Sequence, residues 1–263
     1  MLLAIDIGNS SISIGLFELN DGALLHTFKL SSNESRTPDE YLSLLGGMIV
    51  MSGIEKEKIS KAIIASVVPN LTHTIYSVAQ RLVGKDVFTV GPGLKTGFPI
   101  KIDNPSELGA DLVANAAAVI DDVRKNKRAA IVVDMGTATT ISAISSSGEY
   151  IGNAIMPGVR VAIDSLRLQT ALLPLVTLDK TSRVIGKNSQ DSVRSGVLRG
   201  HALLIDEFIN EFEKEMKINE GSAMLYATGG LGESVISACH HEMQYDEQLT
   251  LKGLYCIYKN NLK

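Results

Sequence analysis

Two short segments of this 263-residue chain carry residue types suited to holding phosphate groups. Asp6-Ile7-Gly8-Asn9-Ser10-Ser11-Ile12-Ser13 closes one apolar run, and Asp134-Met135-Gly136-Thr137 closes another. An Asp at a strand end presents a carboxylate that can hold a hydrated Mg²⁺. A Gly two residues on lets backbone approach an anion closely. Successive backbone N–H groups, with small hydroxyl or amide side chains, then cradle the phosphate. One Asp-x-Gly is equally an ordinary turn. Two copies in equivalent settings, with Thr228-Gly229-Gly230 after a late apolar run, favour a nucleotide clamped from both sides.

The elements that must position these residues are legible from periodicity. Leu2–Ile7 is a short apolar run, and Ser11–Phe17 alternates with period two, so both are strands. Ala23–Leu30 follows the Asn20-Asp21-Gly22 turn as a third strand of an antiparallel meander. Thr37-Pro38-Asp39-Glu40 supplies a cap, a Pro and first-turn acids for a helix running to about Met51. Lys61–Val68 and Asp86–Val90 are strands around a helix over Leu71–Val83. Gly91–Pro105 is an irregular loop, and Glu107–Val123 is an Ala-rich helix. Strands follow at Ala129–Val133, Ala138–Ile144, Tyr150–Ile155 and Ala223–Ala227, with Ser145–Gly148 as a hairpin turn. Helices are predicted over 159–172, 189–216 and 231–240. The two strand-turn-strand units stand 128 residues apart, from Asp6 to Asp134. This internal symmetry predicts two similar α/β domains, 1–118 and 119–263, around a nucleotide cleft.

Composition narrows the partners. Lys and Arg total 25 against 29 Asp and Glu, a net charge of −4, and Trp is absent. Nothing there draws the chain to nucleic acid or to a membrane surface. No apolar run is long enough to span a bilayer. The N-terminal run lacks a basic segment and is interrupted by Asp6, which predicts no signal peptide. Two cysteines, Cys239 and Cys256, point to a reducing cytoplasm rather than a disulfide scaffold. Neither has a CxxC partner, and His240 and His241 beside Cys239 make only a weak metal-site candidate. The charges of 204–217 (Asp206, Glu207, Glu211, Glu213, Lys214, Glu215) predict a solvated amphipathic face, the basic run Arg124–Arg128 an exposed connection, and His201 a packed or surface histidine.

Over its whole length the sequence resembles the type III pantothenate kinases, within the acetate-kinase/hexokinase/actin ATPase superfamily. The resemblance is carried by Asp6–Ser10, Ser66-Val67-Val68-Pro69, Asn104-Pro105 with Glu107–Asp111, Ala114-Asn115-Ala116, Asp134–Thr139, Pro157-Gly158, Leu173-Pro174, Asn188-Ser189, Thr228–Gly230 and Leu249–Leu254. It implies two actin/ribonuclease-H-like domains with mixed five-stranded sheets. It implies transfer of phosphate from ATP to pantothenate, giving 4'-phosphopantothenate, the first step of coenzyme A biosynthesis. On that resemblance Asp6–Ser13 form the first phosphate loop, Thr137 contacts ATP, and Thr228–Gly230 lie near the adenosine. Asp134 binds a monovalent cation, K⁺ or NH₄⁺, beside the Mg²⁺ that accompanies ATP. Asp111 is the general base, Gly109, Ala110, Asp111 and Leu112 line the pantothenate pocket, and Ser189 keeps the hydroxyl of the family's usual Thr. A homodimer is implied too. From position alone, Asp111 is as readily an N-terminal helix cap.

Two positions depart from the family pattern. Leu112 stands where an Arg follows the base, and Ile102 stands where an aromatic, most often Tyr, precedes it by nine residues. An Arg there would supply charge-assisted hydrogen bonds worth roughly 1.5–3 kcal/mol each. Lys101, Arg160 and Arg167 are the cations available to replace it. Three expectations therefore stand side by side: a pantothenate kinase with a rearranged pocket, a kinase for a less polar alcohol, and a non-catalytic relative that binds nucleotide or a partner.

Overall fold

A computed structural model describes residues 1–174, 176–177 and 183–262. Leu2–Ile7 forms β1, and its side chains are buried on both faces save Asp6, the signature of a central strand. It pairs antiparallel with β2 (Ser11–Phe17), which pairs antiparallel with β3 (Leu24–Ser31). Helix α1 (Pro38–Met51) starts at a complete capping box, in which Thr37 Oγ1 accepts from Glu40 N and the Glu40 carboxylate accepts from Thr37 N. β4 (Lys61–Ser66) lies parallel to β1, α2 (Pro69–Val83) follows, and β5 (Val87–Thr89) lies parallel to β4. The order is β3-β2-β1-β4-β5. Ile5, Ile12, Ile14, Tyr41, Leu45, Ile64, Ile75 and Val78 belong to the core that α1 and α2 close over one face.

Helix α3 (Ala110–Asn126) begins later than the Ala-rich pattern predicts. The Asn104 side chain accepts from Ser106 N, and Pro105–Glu107 turn as a 3-10 helix first. The second sheet repeats the first. β6 (Ala130–Met135) pairs antiparallel with β7 (Ala138–Ile144), which pairs antiparallel with β8 (Tyr150–Pro157). After α4 (Val159–Gln169) the predicted helix over 189–216 is three pieces: α5 (Ser189–Arg194), a π-helical segment Ser195–Arg199, and α6 (Gly200–Glu215). β9 (Met224–Thr228) lies parallel to β6, α7 is only Gly232–Ile236, and β10 (Gln244–Tyr245) lies parallel to β9. The order β8-β7-β6-β9-β10 has the pairing sense of the first sheet, strand for strand. Helix α8 (Leu249–Asn260), an element that periodicity did not predict, closes the chain.

By contact the chain forms two units: Met1–Phe98, Asp103–Val119 and Gln248–Lys263 in one, Pro99–Ile102 and Ile120–Glu247 in the other. α8 belongs to the first. Tyr255 stacks on Phe17 at 5.3 Å between ring centroids, and Tyr258 meets Phe88 edge-on.

The repeat is not uniform at 128 residues. Both second strands carry a register shift, between Leu16 and Phe17 and between Ala143 and Ile144, 127 residues apart. The cause is the turn. Gly8 N donates to Ser11 O, whereas Gly136 N donates to Ala138 O, one residue sooner. Ser13 opposite Asp6 therefore corresponds to Thr140 opposite Asp134, not to Ile141.

The acidic face of α6 is also corrected. Asp206 and Glu213 are buried. Asp206 accepts from the backbone N–H groups of His240 and His241, and Glu213 from those of Gly221 and Ala223. Each carboxylate satisfies two loop donors that no strand or helix pairs.

Candidate active site

In the first unit the turn after β1 is held from behind. Ser32 Oγ donates to Gly8 O and Ser32 N to Ser10 O. Asn9 and Ser10 are left exposed at the tip, and Asp6 is half-buried. Val67 N donates to Ile7 O, so the end of β4 runs alongside this loop. Gly109 comes to the same place, because a Cβ on it would lie 3.7 Å from Val67 Cγ1. The same Cβ would crowd Asp111 Oδ1, so the carboxylate folds back over position 109.

Asp111 sits in the first turn of α3, and its Oδ1 accepts from Leu112 N at 2.8 Å. Asp111 is thus inside the helix rather than its N-cap, and its bond is to the next residue's N–H. Burial raises the Asp111 pKa above the ordinary aspartate value, against the lowering effect of backbone N–H donors. Leu112 is buried, 6% exposed, beside that carboxylate.

In the second unit, Gly136 and Thr137 are exposed at the tip of the β6–β7 turn. Gly158 braces that turn: its N–H donates to Thr137 O, and a Cβ there would overlap the Gly136 and Thr137 carbonyls. Thr139, just behind, is fully buried and bonds His201 Nε2 at 2.8 Å. Burial lowers the His201 pKa, which favours the neutral ring. Thr228 is the register partner of Asp134, which brings Thr228–Gly230 beside the β6–β7 turn. Gly229 has φ +98° with Met135 backbone where a Cβ would stand, so only Gly fits. Tyr245 completes this corner. Its OH donates to Gly229 O at 3.0 Å, and its ring fills the space above Gly232. Sequence reasoning missed Tyr245, which lies in a two-residue strand without periodicity. Burial, then Glu247, Glu233, Asp246 and Asp134, raise its pKa.

Two further expected residues belong to other elements of the second unit. Ile102 ends the segment Pro99–Ile102, which is tied to β8 by Tyr150 N to Pro99 O and Lys101 N to Tyr150 O. Ser189 is the exposed first residue of α5, capped by Asn188, whose side chain accepts from Asp191 N. Lys101, Arg160 and Arg167 are exposed.

The donors at both strand ends are oxygens, which suits Mg²⁺ and K⁺ rather than soft metals. Among the described residues no three His, Cys, Asp or Glu side chains are grouped to hold a metal. No helix among the described residues is long and apolar enough to cross a membrane.

A family model described as Type III pantothenate kinase matches residues 2–211. Curated proteins of that name are similar along the whole chain. The one from Geotalea uraniireducens (strain Rf4) is 38% identical over 261 residues, 99% of each chain. That from Pelobacter propionicus is 37% identical over 262 residues, covering 99% of this chain and 100% of its own. Among solved structures, the ethanolamine utilization protein EutJ from Carboxydothermus hydrogenoformans superposes with a TM-score of 0.56 at 16% identity, covering 97% and 89% of the two chains. An archaeal actin homologue does so with 0.50 at 12% identity, covering 99% of each. These likenesses show the actin-like ATPase fold.

Proposed function

The chain belongs to the type III pantothenate kinase family, and on that premise we propose that it transfers the γ-phosphoryl group of ATP to the primary alcohol of pantothenate. The product, 4'-phosphopantothenate, enters coenzyme A biosynthesis. The observation that carries the residue assignment is the buried carboxylate of Asp111, raised in pKa and set in the first turn of α3.

Asp111 takes the alcohol proton as oxygen attacks phosphorus. Oδ1 is engaged by Leu112 N, and Oδ2 is the atom to which the proton goes. A raised pKa brings the base nearer the pH at which it works, which favours proton transfer. The alcohol oxygen gains its bond to phosphorus as the bond from phosphorus to the bridging oxygen of ADP breaks. No enzyme-bound phosphate is required. Positioning and neutralisation of charge carry most of the acceleration.

Asp6–Ser13 and Thr137 hold the phosphates through backbone N–H groups and hydroxyls. Thr228, Gly229 and Gly230 face the adenosine. We assign Gly109, Ala110 and Leu112 to the pantothenate side, where apolar Leu112 offers less polar anchoring than the family's Arg; Ile102 and Ser189 are assigned to pantothenate on the resemblance alone. Asp6 would hold Mg²⁺ with the phosphates, and Asp134 the monovalent cation; the oxygen-only donor set supports both. These cations supply positive charge against the triphosphate. A homodimer fits the exposed apolar side chains Ile155, Val161, Leu168, Leu203 and Leu204 of β8, α4 and α6, and the resemblance supports a cytoplasmic setting. No observation favours the non-catalytic alternative.

The test is ADP release measured with and without pantothenate, in K⁺ and in Na⁺, for the wild type and Asp111→Asn. Pantothenate-dependent ADP release that Asp111→Asn abolishes is expected. Full turnover by Asp111→Asn would remove its role, and turnover without pantothenate dependence would remove the substrate.

A further inference from the structure

Among the described residues, Thr140 Oγ1 is a buried side-chain oxygen that has no hydrogen-bond partner. Buried hydroxyls ordinarily find one. Its place is specific. The β6–β7 register sets Thr140 directly opposite Asp134, and the β6–β9 register sets Thr228 beside Asp134 on the other side. Opposed residues share a sheet face, with Cβ atoms about 4.5–5.5 Å apart. Three adjacent strands thus present a carboxylate and two hydroxyl side chains at one level of one face.

The first unit repeats the pattern, with Ser13 opposite Asp6. Each copy therefore pairs its strand-end carboxylate with a hydroxyl across the hairpin, although the turns between them differ in length. In the second copy the hydroxyl meets no protein acceptor. A hydroxyl oxygen adds a ligand without adding charge. That suits a monovalent cation, which gathers several neutral oxygens around little negative charge.

We propose that Thr140 Oγ1 is a direct ligand of the monovalent cation held by Asp134. The proposal rests on the cation reading above and extends it to a residue outside the phosphate loop.

The full chain is melted with ADP and Mg²⁺ held constant while KCl replaces tetramethylammonium chloride at fixed ionic strength. The wild type is expected to gain stability with K⁺. Thr140→Val, which keeps the side-chain shape and removes the oxygen, should raise the half-saturating K⁺ at least about tenfold, while Thr140→Ser stays near wild type. Without K⁺, Thr140→Val should melt no lower than wild type, because it loses only an unpartnered hydroxyl. An unchanged K⁺ response in Thr140→Val would overturn the proposal and leave an ordered water as the occupant. A wild type indifferent to K⁺ would overturn the cation reading itself, and this proposal with it. Crystals of the wild type soaked in Tl⁺ give a readout independent of any variant. An anomalous peak within bonding distance of both Asp134 and Thr140 Oγ1 is expected, and a peak on Asp134 remote from Thr140 overturns the assignment.

Discussion

At the scale of single residues, Asp111 has opposite effects on activity and stability. Its pKa is raised by burial, so the fold disfavours the carboxylate that catalysis needs. That cost is absent below the unfolded-state pKa and grows as pH rises through the folded one. Asp111→Asn should therefore lower kcat by about 10²–10⁴ yet melt higher than wild type at neutral pH, as calorimetry would record. The acid limb of kcat/KM should lie above the ordinary aspartate range and vanish with the variant; a limb at an unshifted position would count against the burial effect. Tyr245→Phe removes the one bond from the tyrosine OH to Gly229 O while keeping the ring over Gly232. A several-fold rise in the KM for ATP, with the KM for pantothenate unchanged, is expected; equal ATP kinetics would show that the ring alone shapes the corner. The loop residues were legible because Asp-x-Gly and Thr-Gly-Gly carry backbone constraints in their letters. Tyr245 was not, since its role comes from a contact with a glycine sixteen positions away. Nor were Asp206 and Glu213, whose charges look solvated until the loops that return to them are known.

At the scale of elements, α8 positions α3. A Cβ at Gly253 would fall on the Ala114 carbonyl, one turn beyond Asp111, and Thr250 Oγ1 donates to Asn115 Oδ1 at 2.7 Å. Backbone cannot swing aside as a side chain can. Gly253→Ala should cost about 1–3 kcal/mol from overpacking, despite a helix-propensity gain of up to about 1 kcal/mol. It should lower the melting temperature and kcat together while leaving the KM for ATP alone. A variant more stable than wild type would mean that α8 has room to move. Strands β1 to β9 and the early helices were legible from alternation, caps and proline positions. α8 was not, because Leu-Thr-Leu-Lys-Gly-Leu-Tyr puts a glycine and β-formers where a helix pattern expects alanine or leucine alone. The π-helical turn between α5 and α6 likewise leaves no mark in side-chain periodicity.

At the scale of the whole molecule, the duplication was visible as a repeated motif, but one offset of 128 sets Ser13 against Ile141 and Ile14 against Ser142, out of phase; the paired strands show the shorter turn that restores the phase. The exposed apolar residues of the second unit predict self-association. Leu168 is 71% exposed and Leu204 51% exposed. The double variant Leu168→Glu, Leu204→Glu should sediment as a monomer at micromolar concentration, where the wild type sediments as a dimer; a monomeric wild type would refute the dimer. The placement of α8 has a further consequence, in the order of synthesis. The strands of the first unit leave the ribosome early, but the helix that stacks on Phe17 begins only at Leu249. At roughly 5–20 residues per second, the ring of Phe17 waits on the order of ten seconds or more for Tyr255. The second unit, Pro99–Ile102 with Ile120–Glu247, is translated whole in that interval. In nascent chains arrested while α8 is still inside the exit tunnel, protease should spare the second unit and cut the first. The half of the protein that is made first is thus the last to be finished.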